Sequence, residues 1–227
     1  MAAEQQHGKN FENLVAHHSG LFKPAFRKEA GNAVHDIPAE RTHDDVPVSI
    51  KSAKADPNSK KGPTLHLADA VRFFNSTTTH PLRLVSGFYR QTPQQLIFEQ
   101  IHDILLTPNM RATLWGDLDH SSLSMLAGYI KTTQRQIFEE PDLITDLQKE
   151  AKIYKDEVAK KGGLISLHAK IDANTGRLQC SVDAFSLFLC VRKYNSTHAI
   201  YTAQKPYGQI NLPFALQPGH RQGKKNS

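Results

Sequence analysis

The sequence holds little that could staple or anchor a fold. It has two cysteines, Cys180 and Cys190, in 227 residues. Two thiols outside a Cys-x-x-Cys pair cannot complete a zinc cage, and their scarcity points to a reducing compartment. No apolar run approaches the roughly 20 residues of a membrane span. The opening MAAEQQHGKNFENL lacks the basic and apolar regions of a secretory signal. The expectation is a soluble intracellular chain with no membrane partner, cytoplasmic in a bacterium or, for a viral or phage protein, acting inside a host cell. Gly-x-x-x-x-Gly-Lys-Ser/Thr, Gly-x-Gly-x-x-Gly, Gly-x-Ser-x-Gly and His-Glu-x-x-His are all missing. Nucleotide-binding folds of those kinds, the nucleophile elbow and the zinc-helix proteases therefore have no support.

What is present is basic charge: 28 Lys and Arg against 22 Asp and Glu, a formal net charge of +6. Such a surface suits an anionic partner, nucleic acid first. Twelve histidines are scattered without metal-ligand spacing, and only His35, beside Asp36, stands near a candidate site. The chain is long enough for one large domain with a proper core.

Phe11, Leu14 and Val15 form an i, i+3, i+4 stripe, so a first helix is expected over 3–18. AVHDIPA and VPVSIKSA, short and β-branched, read as neighbouring strands. Thr64 can cap a helix through Leu67, Ala70, Val71 and Phe74. LRLVSGFYRQ reads as a strand, and QQLIFEQIHDILL as a strand up to about Ile104. WGDLDHSSLSMLAGYIKTT reads as a helix capped near Asp119 or Ser121. PDLITDLQKEAKIYKDEVAKKGG is a helix from Pro141 to Gly162. Period two returns in LISLHAKIDANTGRLQCSVDAF, with a hairpin turn at Asn174-Thr175-Gly176. A second β-rich segment is expected from Leu187 to about Tyr201, which places both cysteines in apolar β context. The pattern is a mixed α/β or α+β layered domain.

Phosphodiester cleavage requires an activated water, neutralised phosphate charge and a stabilised leaving oxygen. Magnesium on carboxylates supplies most of this, and a lysine can hold the water. Two adjacent strands can converge these groups, one carrying an acid and the other an acid-x-Lys pair whose ends share a face. Asp36 occupies the first position. Ser49-Ile50-Lys51 occupies the second, with Ile50 facing the core and Ser49 and Lys51 facing Asp36. Glu12, beside the buried stripe, can reach the same patch. The competing reading is a cross-strand ion pair between Asp36 and Lys51.

GKNFENLV, HDIPA and VPVSIKSAK, in that order, resemble the PD-(D/E)XK, or restriction-endonuclease-like, nuclease superfamily over about residues 8–90. The resemblance implies a central mixed sheet flanked by helices, with a late β-hairpin-rich segment. It implies a Mg²⁺-dependent endonuclease on double-stranded DNA, sequence-specific in the manner of type II restriction enzymes and homodimeric. Asp36 and the Ile50 carbonyl would bind metal and Lys51 would orient the attacking water. Ser49 departs from the usual carboxylate, and relatives with Ser-x-Lys imply a substitute acid from the following helix. Asp69 is that candidate, with Asp44 and Asp45 as rivals.

The expected layout is a single nuclease domain over 1–218, with a catalytic core over about 8–130 and a helical and β-rich DNA-contacting part over about 131–218. Residues 219–227 read as a disordered basic tail. DNA contacts are expected from Lys60 and Lys61, from Arg90 and Gln91, and from the late hairpin with Lys170, Asn174, Arg177 and Gln179. The alternatives are a non-catalytic nucleic-acid-binding or viral structural protein, and a junction-resolving or repair nuclease on the same core.

Overall fold

The computed structural model describes residues 11, 12, 15, 36–55, 62–91, 96–202 and 214–216. The chain is mixed α/β and divides into two compact units. One comprises residues 1–65, 82–106 and 196–227, the other 66–81 and 107–195.

The first unit is built on a mixed sheet of β1 (Val48–Lys54), β3 (Leu82–Gln91), β4 (Leu96–Leu106) and β7 (His198–Thr202), in that order, with β8 (Phe214–Leu216) also pairing with β4. β1 and β3 are parallel, with Lys51 opposite Ser86 and Ser52 opposite Gly87. β3–β4 and β4–β7 are antiparallel, so Ser86 faces His102, and His102 faces Ile200. Alternation along these strands separates two faces. Ser49, Lys51, Ser86 and His102 share one. Ile50, Arg83, Gly87 and Asp103 share the other, where the buried Phe11 ring stacks on Phe98 at 4.7 Å between centroids. Phe11, Glu12 and Val15 are helical, as expected; the rest of that segment lies outside the described residues.

The second unit carries the sheet β2–β6–β5, entered from His66 of β2 (Thr64–Asp69), with β5 (Ser166–Asp172) and β6 (Thr175–Asp183) antiparallel. Its helices are α1 (Ala70–Thr79), the short α2 (Arg111–Trp115), α3 (His120–Glu139), α4 (Ile144–Ala159) and α5 (Ala184–Lys193). Trp115 is fully buried and donates to Thr77 Oγ1 at 3.1 Å, with Phe74 edge-on and Phe73 tilted against its ring. Asp119 caps α3 through a reciprocal box with Ser122, and a 3₁₀ turn at Pro141–Leu143 leads into α4, both where the sequence places helix starts. The β5–β6 hairpin turns at Ala173 and Asn174.

Three expected elements differ. AVHDIPA is not a strand in its described part. Ile37 makes a single antiparallel bridge to Val48, and a 3₁₀ turn at Ala39–Arg41 follows. Pro38 has no N–H to extend a ladder, and Asp36 N and Ile37 N both donate to Val48 O, at 2.8 and 3.1 Å. Residues 64–69 form β2, not a helix capped by Thr64. Leu65 and Leu67 are buried at period two, and the helical stripe begins only at Ala70, Phe73, Phe74 and Thr77. Residues 184–193 form α5 where β structure is expected. Ala184, Leu187, Phe188 and Val191 bury one helical face, and Asp183 caps it at Ser186 N, 2.8 Å. Cys190 is therefore helical, while Cys180 lies in β6.

Candidate active site

The site candidate lies at the outer edge of β1. The bridge from Ile37 to Val48 fixes Asp36 beside that edge. Its Oδ2 accepts the Ile50 N–H at 2.6 Å and lies 3.4 Å from Lys51 Nζ. The two side chains are 15 % and 19 % exposed, so the pair is sheltered but reachable. N–H and C=O of one strand residue leave the same side of the strand. The Ile50 carbonyl therefore emerges on the edge where its N–H meets Asp36.

Ser49 shares the Lys51 face by alternation, but it does not bond to Asp36. It is 1 % exposed, and its Oγ is buried without a hydrogen-bond partner. Ser86, opposite Lys51 on β3, is likewise buried with an unpartnered Oγ. Beyond Ser86 on the same face, His102 Nδ1 lies 3.1 Å from His198 Nε2, and its Nε2 lies 3.2 Å from Gln100 Oε1. The edge of Phe88 also meets the His102 ring. A polar row thus runs inward from Asp36 and Lys51 along this face of the sheet. Sequence reasoning missed Ser86, His102 and His198. The available signal was a polar residue at same-face positions of successive apolar strands, which becomes legible only once the register is known.

The structure assigns other work to the proposed substitute acids. Asp69 ends β2 as the N-cap of α1 rather than sitting on that helix, and its carboxylate accepts Arg72 N at 3.1 Å. It belongs to the second unit. Asp44 bonds Arg83 on the face away from Lys51. Asp45 adopts a left-handed backbone, φ 54°. Glu12 follows Phe11 on the helix that packs over Gly87, again on the face away from Lys51.

On that other face, Arg83 Nη1 holds both oxygens of Asp103 at 2.9 Å, and Nη2 bonds Asp44. Burial pushes the Asp103 carboxyl above the ordinary range, with Arg83 offsetting only part of the rise. For the more exposed Asp44 the smaller burial effect works upward, but the Arg83 hydrogen bond and charge bring the carboxyl below its usual value.

Magnesium takes oxygen ligands and keeps several waters, using one or two carboxylates together with substrate phosphates. Asp36 and the Ile50 carbonyl place two such oxygens on one strand edge. Among the described residues there is no group of three or more His, Cys, Asp or Glu that could hold a metal. This donor set fits an ion held by one carboxylate and one carbonyl, with the remaining positions filled by water and substrate.

Of the expected DNA contacts, the hairpin is ordered as a surface. Lys170 pairs with Arg177 and His168 with Gln179 on one face, and Asn174 N donates to Asp172 Oδ1 at the turn. The opposite face is apolar, with Leu167, Leu178 and Cys180 buried. Arg90 is exposed near the end of β3. Lys60, Lys61 and His35 lie outside the described residues, as do the side chain of Gln91 and the basic tail. Among the described residues no helix is long and apolar enough to cross a membrane. Comparison with protein-family models, curated proteins and solved structures returned no match.

Proposed function

We propose that the protein is a magnesium-dependent endonuclease that hydrolyses phosphodiester bonds in double-stranded DNA, on a restriction-endonuclease-like core and with sequence preference. The observation that carries this is the convergence of Asp36 Oδ2 on Ile50 N and Lys51 Nζ at one sheltered strand edge. The ion would neutralise phosphate charge and lower the pKa of a bound water. Asp36 and the Ile50 carbonyl would hold it. Lys51, tethered by Asp36, keeps its ammonium at the point of attack, where it orients water or a phosphate oxygen. Ser49 brings no charge, so water and substrate oxygens would complete the coordination. Lys170 and Arg177 would grip backbone phosphates, while Asn174 and Gln179 suit base edges. Cleaving both strands requires two sites, which favours a homodimer acting inside a cell.

One observation favours a second reading. Asp36 is already satisfied by the Ile50 N–H and by Lys51, as it would be in a structural ion pair. The protein would then bind nucleic acid without cutting it. A digest of mixed-sequence duplex DNA with magnesium separates the two. The wild type is expected to give discrete bands, and Asp36→Ala or Lys51→Ala to lower the rate at least about 100-fold. Intact DNA with the wild type, or undiminished cutting by both variants, leaves only the binding reading. Cleavage governed by branch structure instead of sequence points to a junction-resolving enzyme on the same core.

A further inference from the structure

Within the second unit, a cleft of about 360 Å³ lies between α4 and the edge of β5. Gln148, Lys152 and Lys155 stand at i, i+4 and i+7, so one stripe of the helix faces the strand. Gln148 Nε2 donates to Ile171 O at 2.7 Å, which fastens that stripe to the strand edge. Backbone groups of alternate strand residues point the same way, so Leu167 and Ala169 also turn their N–H and C=O toward the cleft that they line. His168 lines it from β5, with its Nε2 2.7 Å from Oγ of the buried Ser181.

The two charged side chains that line this cleft are both lysines. Lys152 and Lys155 come from α4, and Lys170 lies in β5. The His66 ring from β2 lies 6.2 Å from that of His168. The carboxylates nearby are committed: Asp156 bonds Lys155, and Asp172 accepts the Asn174 N–H. Partial burial, then His66, Lys155 and Lys170, hold the His168 imidazole below its ordinary value. Positive groups crowded about a cleft of ligand size, with strand-edge donors beside them, suit an oxyanion that accepts several hydrogen bonds.

We propose that this cleft binds a phosphate group, carried by a mononucleotide or by a nucleic-acid backbone, with Lys152, Lys155 and His168 as its ligands. It shares no residue with the Asp36 and Lys51 site, and its occupancy does not require catalysis. The test is an NMR titration of the His168 ring against inorganic phosphate, thymidine 5′-monophosphate and a short DNA duplex. It uses the wild-type chain and the variant Lys152→Gln/Lys155→Gln. Saturable binding that raises the titration midpoint of His168 is expected, and the double substitution should weaken it about tenfold. A nucleotide that binds tighter than inorganic phosphate and resists displacement by the duplex identifies a free-nucleotide site. Displacement by the duplex identifies a backbone contact. The absence of a saturable shift with every ligand, or a shift unaltered in the double variant, would overturn the proposal. Circular dichroism of the variant checks that it is folded.

Discussion

At Arg83 a single guanidinium serves two carboxylates with opposite consequences. The Asp103 side chain is 4 % exposed and that of Asp44 is 44 % exposed. Removing Asp103 leaves the buried part of the guanidinium facing an empty site with only the half-exposed Asp44 as partner, whereas removing Asp44 leaves Arg83 bonded to Asp103. Asp103→Ala is therefore expected to destabilise the protein by about 3–5 kcal/mol in urea unfolding. Asp44→Ala should cost under about 1 kcal/mol. The pH signs also differ. Asp103, raised in the fold, favours the folded state most when protonated, and that contribution is lost as pH rises through its folded value. Asp44, lowered in the fold, contributes above the ordinary carboxylate range, and its contribution is lost as pH falls. Neither role was legible in the sequence, where Asp44 was a rival metal ligand. Asp36 and Lys51 were readable as a pair because strand alternation alone puts Lys51 on a defined face. The buried isolation of Ser49 was not, because it depends on what surrounds the strand.

At the scale of elements, two glycines mark where backbones or rings approach too closely for a side chain. A Cβ at Gly87 would lie 2.4 Å from Phe11 Cζ and 2.9 Å from Phe98 Cδ1, against the ring stack that closes the first unit's core. A Cβ at Gly163 would lie 2.3 Å from the Thr113 carbonyl oxygen, a backbone atom with no rotamer to give. Gly87→Ala is expected to cost about 1–3 kcal/mol in thermal unfolding, with partial relief by ring movement, and Gly163→Ala more. Equal, negligible losses at both sites would refute the packing account. Helices with a clear 3.6-residue stripe and a cap, α3 and α4, were legible beforehand. β2 and α5 were not. In β2, a strand running directly into a helix let one apolar pattern be read through the junction. In α5, the Leu and Phe residues at helical spacing also suit a buried strand.

For the molecule as a whole, a net charge of +6 favours attraction to polyanions, and under the proposed function the β5–β6 face would localise part of it. Duplex affinity measured by fluorescence anisotropy should fall steeply with salt. Lys170→Gln/Arg177→Gln should flatten the log–log slope by about 1–2. An unchanged slope would remove this face from the DNA contact.

The sequence by itself determined the class of structure, the capped helices and the hairpin, because periodicity and capping are local properties of the chain. It also determined that Asp36 and Lys51 could meet, since Lys51 lies within one short β segment and Asp36 a short way before it. Tertiary structure decided which acids were free to join them. Asp69 was taken by a helix cap and Asp44 by Arg83. It also decided that Ser86 and His102 would extend the polar row, because register between strands distant in sequence, not composition, sets which side chains share a face.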